Sequence, residues 1–377
     1  KRANIELIKK YEYFCEKHSY WLEGFCKFWS LKEATNWSVS WKDWDNYLIP
    51  CDIKVEHAKI VQFIFDFQWN KLKEYCHIND IKIIGDMPIY VSYESADVWQ
   101  NREIFYLEKD NTLKFKAGCP PCKYNENGQL WGNPIYNWDE HEKTQYKWWI
   151  NRFKKIFEMV DVVRLDHFIG FSKYWEISAS KNTAKLGKWK LGPKSKFFKV
   201  LLNNFENFNI IAEDLGDADE EVINLRNEFN FPGMHIIQFD IESNEFTKEY
   251  LYNSILYTGT HDNSTLKGWL AQHSNKLNLK NKNGELSGQV NNWDIINYVL
   301  NQKNKLTIFP IQDLIELGDE ARFNKPGTFL NKNWTWRMRK NQLTSQIKLK
   351  MKDLTIKSNR HQTSITNQIL TSFKEAI

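Results

Sequence analysis

The stretch Val160-Asp161-Val162-Val163-Arg164-Leu165-Asp166 is a short apolar run that closes on an arginine and an acid. A run of this length bounded by polar residues reads as a strand. The same grammar recurs on either side of it, as IKIIGD over Ile81–Asp86, NIIAED over Asn209–Asp214, MHIIQFD over Met234–Asp240 and ILYTGTHD over Ile255–Asp262. Between these runs, apolar residues at three- and four-residue spacing predict helices over Thr144–Met159, Lys196–Asn207 and Asp219–Phe229. Strands alternating with helices predict βα units around a parallel sheet, an α/β fold. Upstream the grammar is helical only, over Ile5–His18, Trp21–Glu33 and Val55–Cys76. The expected organisation is therefore a helical region over 1–80, a strand-bearing region over 81–340, and a polar, weakly helical tail over 341–377. A further polar stretch near Asn278–Glu285 reads as a loop.

Composition narrows the function classes. The chain has 377 residues, 42% hydrophobic and 26% charged, which excludes disorder and collagen. No apolar run approaches the roughly 18 residues of a membrane span, so no membrane partner is expected. Lys and Arg total 52 against 47 acids, a net charge of +5. The bases are spread among acids, and the clearest basic stretches, Lys181–Lys199 and the tail after Met338, both read as solvated surface, so no nucleic-acid partner is expected. Aromatic residues make up 15%, with 17 Trp. Part of that load is core, and part suits a sugar cleft, where ring faces stack on pyranoses. Six cysteines are too sparse for a disulfide scaffold, which points to a reducing compartment. Cys119-Pro120-Pro121-Cys122 is a lone CxxC without a second pair at zinc spacing or a strand-then-helix context, so neither a metal nor a redox role is expected.

The acids at strand ends carry the chemistry. Functional groups of an α/β barrel sit where strands end, and these runs point at Asp86, Asp166, Glu213 and Asp262. Residues two apart on a strand face one side, so Arg164 and Asp166 are expected in one site, where the guanidinium favours an ionised carboxylate. An ionised, oriented carboxylate is what a glycosidic nucleophile must be. Glu213 follows Ile210-Ile211-Ala212, an apolar setting that favours the protonated form and suits a general acid. Asp262, in Thr260-His261-Asp262-Asn263, suits the binding of a sugar hydroxyl pair. Asp166-His167, His261-Asp262 and Asp86 also compose a metal-hydrolase reading, but neighbours on a strand point to opposite faces and no His-Glu-x-x-His spacing is present.

The order of motifs is more specific than any one of them. Gly85-Asp86-Met87-Pro88-Ile89-Tyr90-Val91 and Ser95-Ala96-Asp97-Val98-Trp99 come first, then Pro120-Pro121 and Gly128-Gln129-Leu130-Trp131-Gly132-Asn133-Pro134. Val163-Arg164-Leu165-Asp166-His167-Phe168 and Tyr174-Trp175-Glu176 follow, then Ala212-Glu213-Asp214-Leu215-Gly216, Phe231-Pro232-Gly233-Met234 and Tyr257-Thr258-Gly259-Thr260-His261-Asp262-Asn263. Glu320-Ala321-Arg322 and Asn333-Trp334 complete the series. With these motifs the chain resembles the 4-α-glucanotransferases (amylomaltases, or disproportionating enzymes) of glycoside hydrolase family 77, in the α-amylase clan.

The resemblance implies a (β/α)8 TIM-type barrel with inserted helical subdomains, acting on maltooligosaccharides and α-1,4-glucans in the cytoplasm without metal or organic cofactor. It implies Asp166 as nucleophile, Glu213 as acid/base and Asp262 as the acid that stabilises the transition state. Arg164, His167 and His261 match residues that hold the sugar at the cleavage point, and Asp86, Trp131 and Asn324 match positions near the groove. The loop after Pro120-Pro121 reads Cys122-Lys123-Tyr124, keeping one ring, Tyr124, on the acceptor side where the family usually has two. Lys332 replaces the Gly that usually precedes Asn-Trp. The family's opening segment, with His-Pro-Thr-Ser-Leu-Pro and the first one or two strands, has no counterpart before Ile81, which leaves about six of the eight strands of a barrel. The competing expectations are an α-amylase-like hydrolase and a glucan-binding chain inactive for want of those strands.

Overall fold

The computed structural model describes residues 5–360 except 46, 122–125, 217, 244–251, 274–278, 282–283, 287–289 and 329. The chain divides into two compact units, Lys1–Ile210 and Ile211–Ile377.

The first unit opens with helices Ile5–Lys17, Ser19–Ala34 and Asp52–Ile78. Their apolar stripes meet in a core of Phe14, Leu22, Cys26, Val55, Ala58 and Phe63, the burial expected of amphipathic helices. Asp52 stands in the first turn of the long helix, where a carboxylate complements the helix dipole.

Among the described residues the strands that follow are β1 (Ile84–Met87), β2 (Phe115–Cys119), β3 (Gln129–Pro134), β4 (Val162–Leu165), β5 (Lys173–Ser178), β6 (Gly187–Leu191) and β7 (Ile210–Ala212). The chain passes from one unit to the next within β7. β1 and β4 pair in parallel with Ile84 opposite Val162 and Asp86 opposite Arg164. Val163 N–H donates to Asn209 O at 2.9 Å, just ahead of β7. The run read as a strand from Ile81 becomes a ladder strand only from Ile84: Ile83 C=O accepts from Asp161 N–H and Val162 N–H, but its N–H is taken by the Asp161 carboxylate and not by a strand backbone. β2, β3, β5 and β6 form an antiparallel sheet in the order β3-β2-β5-β6. No periodicity in the sequence pointed to that sheet. Its edge strand β6 carries Lys188 and Lys190 exposed, so the basic stretch is a solvated face as expected.

Part of the aromatic load in this unit is core. Trp149 is fully buried, its ring packed on Tyr136, Trp138, Phe153, Phe171 and Phe197 at centroid separations of 5.2–6.1 Å. Edge-to-face and offset packing of this kind adds to area burial.

In the second unit, β8 (Gly233–Ile236), β9 (Ser254–Tyr257) and β12 (Leu306–Ile308) form a parallel sheet in the order β12-β9-β8. Between β9 and β12, β10 (Leu279–Asn281) and β11 (Gly284–Leu286) form an antiparallel pair, in place of the loop expected near Asn278–Glu285; Asn278 itself lies outside the described residues. MHIIQFD divides between two elements: β8 ends at Ile236, and Ile237–Glu242 is helical. Asp240 is therefore a helix residue, not a strand-ending acid. The core gathers Ile237, Leu256, Leu266, Trp269, Trp293, Ile296 and Val299. The tail contains the helix Ser345–Lys357, whose Ile347, Met351 and Leu354 rest against that core. Among the described residues no helix is long and apolar enough to cross a membrane.

Candidate active site

In the first unit the site grows from the β1/β4 register. Along β4, Val163 and Leu165 are fully buried, so Arg164 faces the other side. Asp86 stands opposite it on β1, and Asp166 follows two residues later on the same side. One guanidinium nitrogen, Arg164 Nη1, donates to Asp86 Oδ1 at 2.7 Å and to Asp166 Oδ1 at 2.9 Å. Asp166 N–H donates to Met87 O at 3.1 Å, which anchors the backbone at the strand end. Arg164 is nearly buried, with 11% of its side chain exposed, while Asp166 keeps 36% exposed. A cation thus lies between the two acids, in the space a metal read from them would need. The carboxylate it orients remains within reach of a substrate.

His167 turns the chain out of the strand with φ 51°. Left-handed backbone in a residue other than glycine is unfavourable and is retained where a side chain must be aimed. Its ring stands perpendicular to Trp131, with centroids 4.8 Å apart. Burial pushes the imidazole down to about 4, so it is neutral at physiological pH. Trp131 lies on β3 just ahead of Gly132, whose φ of 80° suits glycine. Asp86 also lines a cavity of about 870 Å³ beside Met87 and Pro88, with Trp21, Trp148 and Arg152 on its walls.

The second unit holds the other acids. Glu213 follows β7 directly and is half-buried, with Leu215 N–H donating to its Oε1 at 3.3 Å. Its neighbour Asp214 is consumed structurally: it pairs with Arg226 and accepts Met234 N–H at 2.9 Å. Asp262 lies in the turn after β9. Asn324 Nδ2 donates to Asp262 Oδ1 at 2.7 Å, and Asn324 N–H to His261 O at 2.9 Å. Arg322 Nη2 donates to Asp262 O at 2.6 Å. His261 Nε2 is 3.4 Å from Asp262 Oδ2, and its ring rests on Trp334 with centroids 5.2 Å apart.

The structure thus gathers Asp86, Trp131, Arg164, Asp166 and His167 in one unit, and His261, Asp262 and Asn324 in the other. Tyr124, with Cys122 and Lys123, lies outside the described residues. Sequence reasoning gave no role to Arg322 or Trp334. Both stood in quoted motifs, but their partners are some sixty and seventy positions upstream, where spacing carries no signal.

Over residues 1–344 the chain matches the description of the 4-alpha-glucanotransferases, glycoside hydrolase family 77. The chain belongs to this family. The 4-alpha-glucanotransferase of Clostridium butyricum is 39% identical over 364 residues, 91% of this chain and 74% of that protein. The 4-alpha-glucanotransferase of Streptococcus pneumoniae is 38% identical over 373 residues, 92% and 72% of the two chains. Among solved structures, the amylomaltase of Streptococcus agalactiae in complex with acarbose matches with a TM-score of 0.83 at 32% identity, over 95% of this chain and 76% of that one. The amylomaltase of Corynebacterium glutamicum shares the fold, with a TM-score of 0.75 at 16% identity. Family membership makes the chain an enzyme of glucan transfer with an α/β fold.

Proposed function

We propose that the chain transfers α-1,4-glucan segments between maltooligosaccharides by a retaining double displacement, with Asp166 as nucleophile, Glu213 as acid/base and Asp262 as stabiliser of the transition state. An Asp166 carboxylate oxygen attacks the anomeric carbon while the glycosidic C–O bond breaks and the Glu213 proton passes to the leaving 4-oxygen. The glycosyl ester on Asp166 is then attacked by the 4-hydroxyl of an acceptor glucan, whose proton returns to Glu213 as the ester bond breaks. Two inversions at one carbon give net retention. The observation that carries this reading is the Arg164 bridge, which holds Asp166 by one oxygen at the end of β4 and leaves the carboxyl accessible.

In this reading Arg164, His167 and His261 hold the sugar at the cleavage point, and Asp86, Trp131 and Asn324 line its groove. A neutral His167 donates a hydrogen bond to a sugar hydroxyl without adding charge. The proposed architecture is the (β/α)8 barrel of the clan, with 1–80 as a helical insert, 81–340 carrying strands about three to eight and 341–377 as a tail; the parallel pairings β1–β4 and β8–β9–β12 support it. An experimental structure in which those parallel strands belong to two unrelated open sheets would exclude it. Cys15, Cys26, Cys51 and Cys76 stand outside any disulfide, which supports the cytoplasm as the proposed compartment. Activity confined to secreted fractions would count against that.

The test is incubation with maltotriose. Glucose together with glucans longer than maltotriose is the expected outcome. Glucose and maltose without longer products would make the chain a hydrolase, and binding without turnover would make it a glucan-binding protein. Asp166→Asn is expected to lower kcat by at least about 10³-fold, as loss of a covalent nucleophile does.

A further inference from the structure

Asp262 is presented by the turn Thr258–Ser264, between β9 and the helix Leu266–His273. Inside the turn, Asn263 Oδ1 accepts from Thr260 N–H and from Thr260 Oγ1, both at 2.8 Å. Those bonds shape the tip but do not hold its two ends together. That closure comes from Gln238, on the helix Ile237–Glu242. Its side chain is buried, with 2% exposure, and its single Nε2 donates to Thr258 O at 2.9 Å and to Ser264 O at 3.1 Å. One carboxamide thereby clasps the first and last residues of the turn. Asp313, fully buried, holds the same stretch from another side: its Oδ2 accepts from Thr258 Oγ1 at 2.6 Å and its Oδ1 from Leu266 N–H at 2.7 Å.

Gly259 is part of the device. A Cβ placed there would lie 3.0 Å from Gln238 Nε2, 3.5 Å from Asn263 Cβ and 3.6 Å from Ser264 O. Only a residue without a side chain lets the amide approach this closely at no strain. The clasp is a hydrogen-bonded group of low exposure, so deleting its donors strands two carbonyls away from water, which favours opening of the turn.

We propose that Gln238 is a positioning residue for Asp262: its carboxamide closes the Thr258–Ser264 turn and so fixes where the Asp262 carboxylate stands during glycosyl transfer. The inference rests on the reading of Asp262 as a catalytic acid. Displacing a catalytic group by about 1 Å costs on the order of 10² in rate while leaving substrate binding largely intact.

The experiment measures maltotriose transfer by the full chain carrying Gln238→Met, Gly259→Ala, Asp262→Asn and the Gln238→Met/Asp262→Asn pair. Gln238→Met keeps the shape and removes both donors. It is expected to lower kcat about 10²-fold with KM within about twofold. Gly259→Ala, which pushes on the amide without deleting it, is expected to lower kcat several-fold with an unchanged circular dichroism spectrum. In the Asp262→Asn background, Gln238→Met is expected to change the residual rate by less than about twofold, because a group acting only through Asp262 has nothing left to position. Wild-type kcat in both Gln238→Met and Gly259→Ala, with Asp262→Asn inactive, overturns the inference. An undiminished Gln238→Met effect in the Asp262→Asn background overturns it too, by making the role a general structural one. Full activity in Asp262→Asn overturns the catalytic reading instead. If Gln238→Met does not fold, Gly259→Ala alone decides by the same kcat criterion.

Discussion

Arg164 shows how much one side chain can decide. Its Nη1 serves two carboxylates that lie far apart in the chain, Asp86 and Asp166, and charge-assisted bonds of this kind are about twice as strong as neutral ones. Replacing it with methionine keeps the bulk but leaves two acids facing each other with no cation between them. Arg164→Met is expected to lower kcat/KM for maltotriose transfer by roughly 10²–10³-fold, the cost of removing one oriented donor from an active site. Arg164→Lys, with a point charge in place of a planar fork, should recover only part of that. Steady-state kinetics check it, and full activity in Arg164→Met would remove the bridge from the mechanism. The pairing of Arg164 with Asp166 was legible in the sequence because period two places both on one side. The pairing with Asp86 was not, since it depends on which residue of β1 stands opposite Arg164.

At the scale of elements, the helices were the easiest to read. Ile5–Lys17, Ser19–Ala34 and Asp52–Ile78 each lie within a few residues of the span expected from apolar spacing, because a helix satisfies its own backbone and its pattern is local. The antiparallel sheet β3-β2-β5-β6 was missed for the opposite reason. Its strands carry Lys, Trp and Gly in no clean alternation, and β6 is largely exposed, so neither face prints a pattern. Within that sheet β3 is the element that aims Trp131 at His167, and Gly132 makes its bend with a positive φ. A Cβ on Gly132 would meet nothing within 4 Å, so any effect of Gly132→Ala is backbone strain and not a clash. That substitution is expected to cost about 1 kcal/mol of stability and to raise KM several-fold by turning Trp131 away. Urea unfolding and maltotriose kinetics measure the two effects, and an unchanged KM would take Trp131 out of the groove.

For the molecule as a whole, two buried titratable groups set opposing dependences of stability on pH. Burial pushes the Asp313 carboxyl up to about 6 from 3.8. The folded chain therefore holds a proton that the unfolded chain has lost. This contribution is fully present below about pH 4 and falls by roughly 3 kcal/mol as pH rises through 6. His141, fully buried among Tyr136, Trp138 and Trp148, is pushed down to about 3. There the unfolded chain binds the proton first. Its contribution is present above about pH 6.5 and is lost, on the order of a few kcal/mol, as pH falls toward 3. Denaturant midpoints from pH 4 to 7 should show the stability gap between wild type and Asp313→Asn shrinking as pH rises, while the gap to His141→Phe widens. Parallel curves would mean that neither group titrates in isolation.

The sequence by itself determined the strand-ending acids, the alternation of strands and helices, and the ordered motifs that mark a glucanotransferase. Each is written in local spacing or in the order of residue types. Only the tertiary structure decided that Asp86 shares Arg164 with Asp166, that Asp214 is spent on Arg226, and that Gln238 clasps the turn bearing Asp262. Those outcomes depend on strand register and on hydrogen bonds between residues distant in the chain. Such bonds form only after folding has excluded water, and no local period encodes them.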